Sequence, residues 1–313
     1  MKLIQAARAS AILYNLLAAR ADSRPWLLPA NICPIVPMTF FKARVPFLFV
    51  DISPATLHMD LNQAQEKITR GDFGGLLFAH PYGAESTPLA FFSALKRSAP
   101  DLLIVDDRCL CVPDLEPIHT AADVILYSTG YAKLAELGFG GYAFLRDDLE
   151  YHSASFPFNP ADHDEMEKGY KQAVQNREKF IYQDSDWLQI DPTFSAWYDY
   201  SSQIKNRLER SLKHRAALNQ IYAARLPREI QLPAEFQTWR FNVRVKNKAQ
   251  VLESIFGAGL FASSHYASLA GIMSDDSAPH AESLADEIIN LFNDERFDEE
   301  KAQQTCDIVL RNL

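Results

Sequence analysis

The chain has few cysteines, short basic runs and no long apolar stretch, and each shortage excludes something. Its four cysteines, Cys33, Cys109, Cys111 and Cys306, include no C-x-x-C pair, and the scattered histidines complete no metal-ligand spacing. They read as reduced thiols packed as small hydrophobes, in a reducing cytoplasm. Acidic residues outnumber basic ones, 40 to 31, for a net charge of -9 and a sequence pI near 5.4. Nucleic acid is therefore not expected as a partner, although a local cationic pocket for an anionic ligand stays open. Met1 to Arg20 is partly apolar but carries Lys2, Arg8 and Arg20, and nothing reaches the length of a membrane helix. A soluble, unprocessed protein with no membrane partner is expected. No internal repeat or low-complexity tract is visible.

What is present is a sizeable core. At 313 residues, 48% hydrophobic and 23% charged, the chain is long enough for one large α/β domain and a smaller one. Leu3, Ala7, Ala11, Tyr14 and Leu17 recur at helical spacing and predict an amphipathic helix from the start of the chain. Trp26 to Pro29, Phe47 to Asp51 and Gly75 to His80 read as strands, with helical segments such as Thr87 to Ser98 between them. This rhythm, up to about Asp147, predicts a mainly parallel sheet with helices on both faces. A long helical pattern follows from Ser201 to Leu226, then Pro227 and Pro233. Beyond them lie a half-exposed strand, Arg240 to Val245, and helices Ala249 to Phe256 and Glu299 to Leu313. The expected division is a large α/β domain at 1–200, and at 201–313 a connecting helix with a small α+β domain.

The chemistry concentrates in Leu103-Ile-Val-Asp-Asp107 and Ile125-Leu-Tyr-Ser-Thr-Gly-Tyr-Ala-Lys133, followed by Gly138-Phe-Gly-Gly141. Leu103 to Val105 and Val124 to Tyr127 read as buried parallel strands, so Asp107 and Ser128 emerge at strand carboxyl ends, where open α/β sheets bind ligands. An acid there, then a Ser, then a Lys five residues on, is what a pyridoxal 5'-phosphate (PLP) site needs. Lys133 supplies the Schiff-base amine, Asp107 keeps the pyridinium nitrogen protonated, and Ser128 donates to the phosphate. Bland readings stand beside these: a surface lysine, an acid that caps a turn, a serine in a capped loop. Asp106 is the alternative acid.

Taken in order, Leu28-Pro-Ala-Asn-Ile-Cys-Pro34, Phe47 to Ile52, Ala79-His-Pro-Tyr-Gly83, Val105-Asp-Asp107, Tyr127-Ser128 to Lys133 and Gly138 to Gly141 resemble the successive blocks of the DegT/DnrJ/StrS aminotransferases. Ser263-Ser-His-Tyr266 and Pro279-His-Ala-Glu282 resemble that family's C-terminal domain, so the likeness covers nearly the whole chain. It implies the aspartate-aminotransferase type of fold, with a seven-stranded sheet, and a homodimer with shared active sites. It also implies amination of a keto-sugar nucleotide, used in surface polysaccharide synthesis, with glutamate as donor. By the same resemblance Arg8, Ala9 and Ser10 open the phosphate-binding helix, Cys33 takes the place of the aromatic residue against the cofactor ring, and His265 and Tyr266 line the substrate entrance. An exposed helix face for Arg8 and Ser10, and a hinge or packing role for His265 and Tyr266, remain open.

The chain departs from that pattern in three ways. Leu110 stands where the family has a Gln three residues after the pyridinium acid. The N-terminal arm is nearly absent. No Gly-x-Asn-x-Arg block occurs in the middle, where Trp187 to Trp197 lies instead. Two further readings therefore accompany the aminotransferase: another PLP enzyme on the same scaffold, catalysing elimination or dehydration, and a catalytically idle binding relative.

Overall fold

The computed structural model describes residues 1–20, 22–190 and 196–313. Seven strands form the main sheet: β1 (Lys2–Ala6), β2 (Trp26–Pro29), β3 (Phe47–Val50), β4 (Gly75–Ala79), β5 (Leu103–Asp107), β6 (Val124–Ser128) and β7 (Gly141–Leu145), in the order β1-β7-β6-β5-β4-β2-β3. The pairs from β6 to β3 are parallel, while β7 runs antiparallel to β6 and β1 antiparallel to β7.

The strands are apolar on both sides because helices cover both sides. Leu28, Leu77, Val105 and Leu126 point to the face packed by α1 (Ala9–Ala18) and α2 (Ile35–Ala43). Leu27, Leu76, Phe78 and Ile104 point to the other, against α3 (Leu61–Arg70) and α4 (Leu89–Ser98). From β2 the chain moves outward to β3 and then returns to β4 on the other side of β2, so the strand order reverses there. Ligands of open α/β sheets bind outside such a point.

The expected helix at the start of the chain is corrected. Lys2–Ala6 is an edge strand, its Leu3 and Ile4 opposite Phe144 and Ala143 of β7, and the helix begins only at Ala9. Leu3 and Ala7 suit either period; the free edge of β7, remote in sequence, decides.

After α5 (Pro160–Asn176), the 29-residue α6 (Trp197–Arg225) runs through the expected boundary at residue 200. Leu218 and Tyr222 of α6 join a second core with the sheet β8 (Phe241–Arg244), β10 (Ile288–Leu291) and β9 (Ala262–Ser263) and with α7 (Lys248–Gly257) and α9 (Glu299–Arg311). Phe241 to Val243 are buried rather than half-exposed. The polar Asn242, which suggested a solvent face, is satisfied internally: it accepts from Asn290 at 2.7 Å and donates to the Arg240 carbonyl at 3.0 Å. The remaining helix, α8 (Pro279–Glu287), is tied to the main sheet by Asp51, just past β3, whose carboxylate accepts from the amides of His280 and Ala281, both at 2.9 Å. No helix among the described residues is long and apolar enough to cross a membrane.

Candidate active site

The carboxyl ends of β2, β5 and β6 open on a cavity of about 480 Å³, and Arg8, Ala9, Ser10, Cys33, Asp107, Ser128 and Lys133 all line it. An adjoining cavity of about 30 Å³ at the β2/β4 reversal shares Cys33, Asp107 and Lys133 and adds His80, Leu110 and Tyr266. Of the residues anticipated from sequence, only His265 lines neither. Its exposed side chain stands beside Trp239, ring centroids 5.9 Å apart.

β5 sorts its two terminal acids by the pleat. Asp107 shares a face with Leu103 and Val105, the side of α1 and α2, and there borders the cavity at 9% exposure. One of its oxygens accepts from the Cys109 amide at 3.0 Å. Asp106 points the other way and is sealed: its Oδ1 lies 2.7 Å from His80 Nε2, and the Arg108 guanidinium is 3.9 Å from its Oδ2. His80 Nδ1 lies 2.7 Å from the Ala84 carbonyl, which can only accept, so that nitrogen donates there. His80 is thus committed to structure on both sides of its ring.

Lys133 follows Ala132, a non-glycine residue in the left-handed region at φ 57°. Among the described residues its ammonium has no hydrogen-bond or ion-pair partner. A half-buried cation left free inside a cavity is costly unless something there uses it.

The other end of the cavity is built for an anion. α1 begins with Arg8 as its cap, without a side-chain bond and without acids in its first turn, and Ala9 and Ser10, at the positive end of the helix dipole, line the cavity. Gly141 makes this approach possible: a Cβ there would lie 2.3 Å from the Ala9 nitrogen. Ser128 Oγ accepts from the Gly130 amide at 3.3 Å, which leaves its own proton available to the cavity. Arg8 is not an idle surface residue: its guanidinium donates to the Gly138 carbonyl at 3.1 Å and to Gln189 Oε1 at 3.2 Å, and Nη1 stands 3.6 Å from where a Gly130 Cβ would be.

Burial raises the Cys33 thiol pKa, opposed in part by the charge of Lys133, and raises that of Cys109 further, with Asp107 adding to the effect. Both are neutral thiols rather than nucleophiles. Burial likewise holds the Tyr266 phenol protonated. Trp187, Leu188 and Gln189 form a wall not anticipated as part of the site, as do Phe158 and His163 at the start of α5. The one sequence signal was the short apolar run Trp187-Leu-Gln-Ile190 after a polar stretch. Residues 191–195 of the middle region lie outside the described residues.

Neither a protein-family model nor a curated protein matches the chain. Solved structures do. A DegT/DnrJ/EryC1/StrS aminotransferase from Brucella abortus aligns over 100% of this chain and 86% of its own, with TM-score 0.69 at 14% identity. The sugar aminotransferase CalS13 from Micromonospora echinospora aligns over 99% and 87%, with TM-score 0.68 at 17% identity. DesV of S. venezuelae, solved in complex with a ketimine intermediate, aligns over 99% and 84%, with TM-score 0.69 at 15% identity. The chain shares their fold. The likeness runs through both sheets, as the ordered sequence blocks led one to expect.

Proposed function

We propose that the protein is a PLP-dependent aminotransferase. The observation that carries this reading is the Lys133 ammonium, unpartnered among the described residues, in a cavity that also holds Asp107, Ser128 and the start of α1. These residues suit the cofactor in charge and kind: an amine for its aldehyde, a carboxylate for its ring nitrogen, helix amides, a hydroxyl and a guanidinium for its phosphate. When bound, PLP supplies an aldehyde and an electron-withdrawing ring.

The rest falls to the chain. Lys133 Nζ would hold the cofactor and, when its amine is free, would move a proton at the substrate carbon. The Asp107 carboxylate holds the proton on the ring nitrogen. Ala9, Ser10, Ser128 and Arg8, at the other end of the same cavity from Lys133, would anchor the phosphate. Cys33 offers a small neutral thiol where an aromatic ring would stack, and Trp187 and Leu188 exclude water from the apolar side.

For the substrates, glutamate as donor and a keto-sugar nucleotide as acceptor, in a cytoplasmic route to surface polysaccharide, follow from the sequence resemblance and from CalS13 being a sugar aminotransferase. A homodimer is in keeping with Tyr131 and Phe158, which line the cavity yet are 71% and 39% exposed, as residues awaiting a cover would be. Leu110, apolar beside Asp107, favours a second reading in which the same scaffold eliminates rather than transaminates. The test is a screen of amino acids against PLP-loaded protein, followed by the aminated form against nucleotide-sugar ketones. Aminated cofactor from glutamate is expected; ammonia release with the cofactor unchanged would support elimination, and no reaction with any amine would overturn the enzyme.

A further inference from the structure

Lys133 borders three cavities. Behind its turn, on the side of α6, lies a polar cavity of about 190 Å³ lined also by Glu136, Arg207, Ser211, Arg215 and Asp294. The turn is thus a partition with open space on both sides. Hydrogen bonds hold its backbone. The Trp239 indole N–H donates to the Ala132 carbonyl at 2.5 Å, and Arg215 Nη2 donates to the Lys133 carbonyl at 3.5 Å. From its own side, the Ala132 amide donates to Glu136 Oε2 at 3.1 Å.

Both donors are themselves fixed, each at 3% exposure. The Trp239 amide donates to the Tyr82 carbonyl at 3.2 Å, and its indole is flanked by the Arg240 guanidinium at 5.1 Å. Arg215 donates to the Trp239 carbonyl, to Asn293 Oδ1 at 2.5 Å and to Ser211 Oγ at 3.0 Å. Every acceptor it holds is neutral. A buried guanidinium with no carboxylate in contact among the described residues is expensive to keep, and here it serves two backbone carbonyls, those of Lys133 and Trp239.

We propose that Trp239 and Arg215 are positioning residues for Lys133, holding the Ala132–Lys133 turn so that the amine projects into the cofactor cavity and not into the space behind it. The proposal rests on Lys133 being the cofactor lysine. Neither residue lines the cofactor cavity, so neither is a catalytic residue. Displacing a reacting group by about 1 Å costs up to roughly 100-fold in rate, which sets the size of the effect.

The experiment compares wild type with Trp239→Phe, which keeps an aromatic ring and deletes the N–H, and with Arg215→Met, which keeps the aliphatic stem and deletes the other donor should the tryptophan variant fail to fold. In cofactor-free protein, the rate of Lys133 acetylation by acetic anhydride is followed by peptide mass spectrometry. After PLP is added, the rate of borohydride-stable labelling of Lys133 and the pH midpoint of the visible absorbance are measured. The folded variants are expected to change the acetylation rate several-fold, slow the labelling about 10- to 100-fold, shift the midpoint, and lower kcat while KM stays within about threefold. Unchanged acetylation, labelling and midpoint in a folded variant would overturn the proposal. If wild type takes no label at Lys133, the cofactor reading fails instead; the acetylation rates still decide whether the clamp sets the lysine's exposure.

Discussion

The two faces of the sheet at the end of β5 carry the same chemical group and use it differently. On one face Asp106 is fully buried, 2.7 Å from His80, with His58 close by, its ring stacked on Phe78 at 5.2 Å. On the other, one residue along, Asp107 borders an open cavity with Lys133. An acid enclosed by its own protein has its charge matched in place and holds the fold together. An acid facing a cavity leaves its charge for a ligand. The alternation of a strand, period two, is enough to separate these roles within a dipeptide.

Variants can break that contrast from either side. The largest loss of activity is expected on the cavity face: Lys133→Ala removes the attachment point and the proton carrier together, so turnover falls by roughly 10⁴-fold with the unfolding midpoint held. Next comes the pair that tests the pleat itself. Asp107→Asn should lower kcat about 10²- to 10³-fold with little change in stability. Asp106→Asn leaves His80 and Arg108 buried without their carboxylate and should cost about 3–5 kcal/mol in denaturant unfolding; the reverse pattern would place the faces the other way round. Gly141→Ala drives a Cβ against Ala9 where helix and sheet meet. It should cost about 1–3 kcal/mol and weaken binding of PLP more than of unphosphorylated pyridoxal, since the phosphate end is what moves.

The last effect, absent at neutral pH, concerns acid stability and belongs to the sealed face. Burial, helped by the neighbouring His80, lowers the His58 pKa from 6.5 to about 4. Between those values the unfolded chain binds the proton and the folded one does not, so stability present above pH 6.5 is lost as the pH falls toward 4. His58→Phe, which keeps an aromatic ring against Phe78, should flatten that limb by up to about 3 kcal/mol and leave the activity of PLP-loaded protein at neutral pH unchanged.

Much of this was legible in the sequence, for definite reasons. Strands buried on both faces announce themselves as apolar runs, so β2 to β6 and the positions of Asp107 and Ser128 could be read directly, with Lys133 five residues beyond. Leu103 and Val105 sharing a side with Asp107 even anticipates which acid meets the cavity. β1 was hidden because its pairing with β7 spans some 140 residues and its composition suits a helix equally. The wall at Trp187 to Gln189 and the hold of Trp239 and Arg215 on the lysine turn were invisible for a related reason: each depends on which distant backbone a side chain reaches, and local pattern carries no such information.

The most direct measurement is borohydride reduction of the PLP-loaded protein, followed by digestion and peptide mapping. A pyridoxyl label on the peptide that carries Lys133, absent in Lys133→Ala, is the predicted result. A label on any other lysine, or none on a protein that holds the cofactor, would contradict the placement of the active site at the carboxyl ends of β5 and β6.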